Sequence, residues 1–199
     1  PEPIDENIRT MSKLMLLETY GGMFVPPSFV CSKNLKNMYN DGIQNNKMFF
    51  SESVSRDSTS SIVNSFTSSD FFGCDKKCPV LEDCISYLQS LISRDYTAES
   101  KFDGNFNRYI YSLRHDIKVN IIPGSSIGTL DENNENIILD DIMNDTPIQL
   151  SHGAYGVLIP HDELLVRLKY KYFVYLSIPE ILESESFICK YINNLNIEI

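Results

Sequence analysis

The 199-residue chain lacks any window close to eighteen uninterrupted apolar residues and has no charged-then-apolar leader, so neither a membrane span nor a signal peptide is visible. It opens on Pro1 rather than Met. The expectation is therefore a processed or partial chain, for which secretory or virion targeting stays open. It has no basic stripe either. A formal charge of -10 and a pI near 4.7 exclude a broad phosphate-binding surface, because nucleic-acid affinity depends on clustered Lys and Arg that release counterions. Neither GxGxxG nor GxxxxGK[ST] occurs, so Ile122-Pro123-Gly124 and Ile127-Gly128-Thr129 read as turn glycines. No internal repeat is apparent. Cys74-x3-Cys78-x5-Cys84 is not followed by a second Cys or His pair, and Cys84 falls on an apolar stripe, which favours buried thiols over a zinc site. With Cys31 and Cys189 the cysteines number five, an odd set that points to free thiols in a reducing compartment.

What is present is enough for one well-buried core. At 42% apolar residues the expectation is a single unit over 1–199, of α/β or α+β class. Ile4 to Tyr20 carries apolar residues at three- and four-residue steps and stops at Gly21-Gly22, which predicts a helix apolar around much of its girth and therefore buried. Met23 to Val25 reads as a short strand ended by Pro26-Pro27. A short helix is expected over Lys33 to Tyr39 and a strand over Lys47 to Ser53. Serine and threonine dominate from Ser51 to Ser69, the composition of an exposed loop, flexible at about 51–65. Extended character resumes from Phe66 to Gly73. Cys78-Pro79 opens a helix with Leu81, Cys84, Ile85, Leu88, Leu91 and Ile92 on one stripe, and Ser100 with Asp103 caps the next, whose buried side is expected to be Phe102, Phe106, Tyr109, Ile110 and Leu113. Short strands are expected at Val119 to Ile122, Ile137 to Leu139 and Val157 to Ile159, with the acidic tract from Asp131 to Asn136 as a turn. Pro160 is read as opening a helix through about Ser177, and Ser177-x-x-Glu180 as capping one last helix that runs to Leu195.

Several polar residues carry two readings. The turn from Ser151 to Gly156 can line a ligand cleft with His152 as a catalytic base, and a surface turn before a strand explains it equally well. His115 and His161 stand near helix ends, where capping or exposure suffices. Asp103, Asp140 and Asp141 suit general-base or metal chemistry, against caps or solvated acids.

Two blocks stand out. In the first, Leu14-Met15-Leu16-Leu17-Glu18-Thr19-Tyr20 ends an apolar helix, Gly21-Gly22 follows, and Met23-Phe24-Val25 leads into Pro26-Pro27-Ser28. In the second, Ser68-Ser69-Asp70-Phe71-Phe72-Gly73 ends a strand near small residues and Cys78-Pro79 opens a helix. From Ile4 to about Ile92 this order resembles the glycosyltransferases with a DXD sugar-binding region, which include initiating mannosyltransferases and capsular polysaccharide enzymes. The remainder to Ile199 matches only in general character. In that family a helix ends in Tyr-Gly-Gly and a short strand delivers Asp-x-Asp to a metal ion. Here those positions read Pro26, Pro27 and Ser28, and the family's Asp and Arg on the preceding helix correspond to Thr10 and Lys13.

The resemblance implies an α/β fold, a GT-A-like (Rossmann-like) mixed sheet flanked by helices, here lacking the N-terminal nucleotide-binding strands. As an enzyme the chain would transfer a hexose from a nucleotide sugar to a glycan or protein acceptor. Asp70 and His152 would then be the catalytic candidates, with Lys13, Gly21, Gly22 and Ser28 on the donor. Manganese or magnesium is expected of the family, yet the ligands are missing, so no cofactor is assigned; loss of the ion costs on the order of a thousandfold in rate unless Lys13, Lys33 or Lys36 replaces it. The other reading is a catalytically silent glycosyltransferase-like structural or interaction protein. It would meet protein partners in a large viral assembly such as a capsid or virion, which places the chain in the cytoplasm or the virion.

Overall fold

The computed structural model describes residues 3–54, 65–93, 102–116 and 118–195. Its elements are α1 (Pro3–Tyr20), β1 (Gly22–Phe24), β2 (Phe29–Cys31), α2 (Lys36–Gly42), β3 (Met48–Val54), β4 (Ser65–Cys74), α3 (Pro79–Ser93), α4 (Phe102–His115), β5 (Val119–Ile122), α5 (Gly124–Ile127), α6 (Leu139–Met143), β6 (Gly156–Leu158), α7 (His161–Val166), α8 (Ile178–Glu183) and α9 (Phe187–Asn194). They form two compact units, Pro1–Pro26 with Leu35–Pro123, and Pro27–Asn34 with Gly124–Ile199. The protein is of mixed α/β class, with a mixed sheet flanked by helices.

In the first unit the sheet runs β1-β4-β3-β5, with β4 antiparallel to both neighbours and β3 parallel to β5. Side chains alternate across a strand, and Met48-Phe49-Phe50 uses both faces. Met48 and Phe50 join Phe72, Leu14, Leu17, Leu81, Leu88, Phe106 and Ile110 in a core shared with α1, α3 and α4. Phe49 points the other way, edge-on to Tyr39 of α2 at 6.2 Å, and Asn120 Nδ2 donates to the Gly42 carbonyl at 2.8 Å to hold α2 there. Phe24, Phe72 and Phe50 lie directly opposite one another across three strands, with ring centroids 5.7 and 5.6 Å apart. The neighbouring row, Met23, Gly73 and Phe49, closes over the glycine from both sides.

In the second unit β2 pairs antiparallel with β6, placing Val30 opposite Val157. Its core gathers Leu139, Ile142, Val157, Leu164, Tyr170, Phe187 and Ile188. Asp131 Oδ1 accepts the N–H groups of Asn133 and Glu135, each at 2.8 Å, so the acidic tract is a turn tied by its own carboxylate.

Several expectations are corrected. Helix α1 is not buried all round: Leu14 and Leu17 are in the core, while Ile8, Met15, Leu16 and Tyr20 face outward. The serine-rich stretch is not wholly an exposed loop. Ser51, Thr67, Ser68 and Ser69 are buried in β3 and β4, where the Thr67 hydroxyl donates to the Asn107 carbonyl, the Ser68 hydroxyl to Asp70 and the Ser69 N–H to Asn107 Oδ1; residues 55–64 lie outside the described residues. The Ser100 half of the expected cap also lies outside them. Ile137 to Leu139 is not a strand, because Asp141 Oδ2 accepts the Ile138 N–H at 3.0 Å and starts α6. The helix from Pro160 ends at Val166. Leu164 and Tyr170 both enter the core, but on a continuous helix they would point about 120° apart, so the chain leaves helical geometry between them. The last helix is two, α8 and α9, since Ser184 Oγ takes up the Ser186 N–H at 3.4 Å between them. The capping box at Ser177 is present, with Glu180 Oε2 accepting the Ser177 N–H at 2.7 Å.

A Cβ on Gly73 would sit 2.6 Å from the Gly22 carbonyl oxygen and 2.8 Å from Phe49 Cζ. Gly73→Ala is therefore expected to lower stability by about 1–3 kcal/mol in urea titration. Gly153→Ala, whose Cβ would meet only Ser151 Oγ at 3.8 Å, should stay within about 0.5 kcal/mol of the parent.

Candidate functional site

The residues singled out for a transferase fall in both units. Lys13, half-buried on α1, belongs to the first unit together with Gly21, Gly22 and Asp70. Gly21 takes the left-handed conformation, φ +67, after its N–H closes α1 onto the Leu17 carbonyl at 2.7 Å. A Cβ there would lie 2.8 Å from the Lys76 nitrogen, so its close backbone approach is to the chain's own β4–α3 turn. The Gly22 N–H bonds to the Tyr39 hydroxyl, which in turn donates to the Cys74 carbonyl at 3.2 Å. Both glycines are thus engaged by the protein itself.

Asp70 is exposed on β4, where the register against β3 jumps from Phe50↔Phe72 to Ser51↔Ser68. Its carboxylate accepts the Ser68 hydroxyl at 3.0 Å, and Asn107 pins the same bulge through the Ser69 N–H at 3.1 Å. Asp70 lies inside that bulge, two positions before Phe72 and outside the stretch of β4 that pairs with β1 at Gly22. Asn107, interior to α4, was invisible as a partner of this bulge because nothing local marks it.

Ser28 and His152 belong to the second unit. Ser28 sits in the turn before β2, and its carbonyl accepts the Ile159 N–H at 2.9 Å. His152 is exposed in the turn before β6, where its carbonyl accepts Lys33 Nζ at 2.7 Å. The side chains of Pro26-Pro27-Ser28 do not suit a divalent ion, since two prolines bring no side-chain oxygen and Ser28 only a neutral hydroxyl. Among the described residues no three His, Cys, Asp or Glu side chains gather where they could hold a metal, and no helix is long and apolar enough to cross a membrane.

The second unit concentrates polar chemistry elsewhere. Tyr170 buries its ring in the core and sends its hydroxyl outward to Asp140 Oδ1 at 2.6 Å. Lys169 Nζ donates to that hydroxyl at 2.8 Å, and Arg167 bonds to Asp140 Oδ2. The Tyr170 hydroxyl first, then the Arg167 guanidinium, hold the Asp140 carboxyl below the usual carboxylate range, so it stays an anion and is no general base at neutral pH. These groups edge a depression of about 410 Å³ lined by Asp140, Met143, Asn144, Lys169, Tyr170 and Tyr172.

Around it the chain is unusually apolar for a surface. Val166, Leu168 and Tyr175 are 79%, 88% and 75% exposed, and Leu165, Tyr172, Val174, Ile178 and Leu182 are exposed as well. From Leu164 to Pro179 there is no acid, while Arg167, Lys169 and Lys171 interleave the apolar residues. Apolar contact area with a basic fringe suits contact with another surface. The alternation Val166-Arg167-Leu168-Lys169-Tyr170-Lys171-Tyr172 is the signal for it, hidden when the segment is read as a helix interior.

No family model, no curated protein and no solved structure matches this chain.

Because Asp140 titrates below its ordinary value when folded, its stabilising contribution is complete above the unfolded value, about pH 4, and is lost as pH falls through the folded value. Asp140→Asn is expected to cost ~1 kcal/mol or less at pH 7, as befits a half-exposed cluster. In denaturant titrations the gap to the parent should close below about pH 4.

Proposed function

We propose that this chain is a protein-binding module, a glycosyltransferase-like scaffold without turnover that holds a partner within a larger assembly. The observation that carries this reading is the exposed apolar segment from Leu165 to Leu182. An apolar strip of this kind on a charged protein is the mark of an interaction surface. Lys171, beside Arg167 and Lys169 that already pair with Asp140, favours a partner protein with an apolar groove edged by Asp or Glu. The depression beside Tyr170 offers a pocket for one anchoring side chain at the centre of such a contact.

The transferase reading retains one observation, namely that α1 ends at Tyr20 and runs through Gly21-Gly22 into the short strand β1, the order expected of a GT-A-like Tyr-Gly-Gly block. Against it stands the engagement of both glycines by the chain itself. Lys13 and Ser28 would have to carry the donor diphosphate without a metal ion, which leaves the binding role the better supported.

The two readings separate by experiment. Fluorescence anisotropy with peptides that carry Leu and Trp anchors flanked by Glu should show binding that weakens with salt and falls at least tenfold in Leu168→Asp or Val166→Asp. The same anchors flanked by Lys should bind poorly. Equal binding of both peptide sets, or binding to phosphatidylserine vesicles in their place, would defeat the assignment of an acidic protein partner. Melting temperature should not respond to UDP- or GDP-sugars, with or without manganese; a donor-dependent rise would restore the transferase.

A further inference from the structure

The depression beside Tyr170, edged by Asp140, Met143, Asn144, Lys169 and Tyr172, has a chemistry distinct from the apolar strip around it. Its acceptors are committed. Asp140 Oδ1 accepts the Tyr170 hydroxyl at 2.6 Å, Asp140 Oδ2 accepts the Arg167 guanidinium, and the Tyr170 oxygen accepts one proton of Lys169 Nζ at 2.8 Å. Asn144 uses its two oxygens within the chain, Oδ1 for the Asp145 N–H at 3.0 Å and the main-chain carbonyl for the Phe187 N–H at 2.6 Å.

Its donors are idle. The remaining protons of the Lys169 ammonium, the Asn144 Nδ2 group and the exposed Tyr172 hydroxyl have no hydrogen-bond partner among the described residues. Charge alone does not choose the ligand, because Asp140 and Glu163 balance Arg167 and Lys169: Arg167 Nε lies 3.4 Å from Glu163 Oε2, and Lys169 Nζ 3.9 Å from Asp140 Oδ1. Hydrogen-bonding capacity chooses it. Spent acceptors beside idle donors call for a group rich in strong acceptors and free of donors, and among side chains and chain ends that group is the carboxylate. Its bonds to an ammonium are also stronger than those a neutral amide oxygen makes. Met143 and the Tyr172 ring offer an apolar wall for the stem that carries it.

We propose that this depression binds a carboxylate of the partner protein, held by Lys169 Nζ and Asn144 Nδ2. On the protein-binding reading, which this assignment presupposes, apolar side chains of the partner lie on Val166 and Leu168 while one acid enters the depression and fixes the register of the contact. A glutamate side chain and a C-terminal carboxylate both supply that chemistry. The Lys169 side chain is 75% exposed, so it turns toward a ligand without disturbing the core.

Fluorescence anisotropy with one Leu- and Trp-bearing peptide in three forms tests this: a Glu form with an amidated end, its Gln counterpart, and the Gln form with a free C-terminus. The parent chain should bind the Glu form at least fivefold more tightly than its amidated Gln counterpart. That preference should vanish in Lys169→Gln and narrow in Asn144→Ala, yet survive in Lys171→Gln, whose charge lies outside the depression. Tight binding of the free-acid Gln form would name the chain end as a source of the carboxylate, and weak binding would leave the glutamate side chain. Equal binding of the two amidated forms by the parent, with both weakened in Leu168→Asp, would overturn the carboxylate site and leave the protein-binding reading standing. A preference lost equally in Lys169→Gln and Lys171→Gln would overturn the site too, because diffuse charge then explains it. Failure of all three forms to bind would sink both.

Discussion

A single row of phenylalanines sets the geometry of the first unit. Phe24, Phe72 and Phe50 stand opposite one another on β1, β4 and β3, and each ring packs on the next. Aromatic pairs of this kind add about 0.5–1.5 kcal/mol beyond the area they bury, and they are incompatible with a one-residue slip, which would turn every ring to the opposite face. The row beside it is shaped by the same lock, because a glycine at position 73 lets Met23 and Phe49 close over the strand. Beyond Phe50 the lock ends and the register jumps, so the bulge that carries Asp70 begins where the aromatic ladder stops.

The elements with strong periodicity or unambiguous punctuation were legible in the sequence. Helix α3 has its stripe and its opening proline, β5 is a short β-rich run, and the stop of α1 at Gly21 follows from a position that only glycine occupies easily. The failures share one cause: nonlocal contacts decide them. Thr67 and Ser69 look like loop residues until Asn107 bonds to both from α4, thirty-eight to forty positions away. Likewise, β2 is three residues long and exists because β6 pairs with it. No local pattern encodes that pairing.

The site shows the same division. Local punctuation marked the stop at Gly21 and the turn at Ser28, while the partners that give them their meaning are Lys76 and Ile159. The basic and apolar alternation after Val166 was present in the sequence, yet its meaning rests on Tyr170 turning inward to anchor Asp140. A hydroxyl thirty residues from its acceptor leaves no trace in periodicity.

The threading of the backbone has a consequence for how this gene can be cut. The chain leaves the first unit at Pro26-Pro27, returns after Asn34, and leaves again at Pro123, so β2 is encoded far upstream of the rest of its unit. A clone that starts at Gly124 would strip β6 of the strand it pairs with and expose an unpaired sheet edge, an invitation to aggregation. Separable expression of the second unit therefore calls for a permuted gene in which the short proline-led segment is grafted back, and a simple deletion series would misreport the unit as unable to fold.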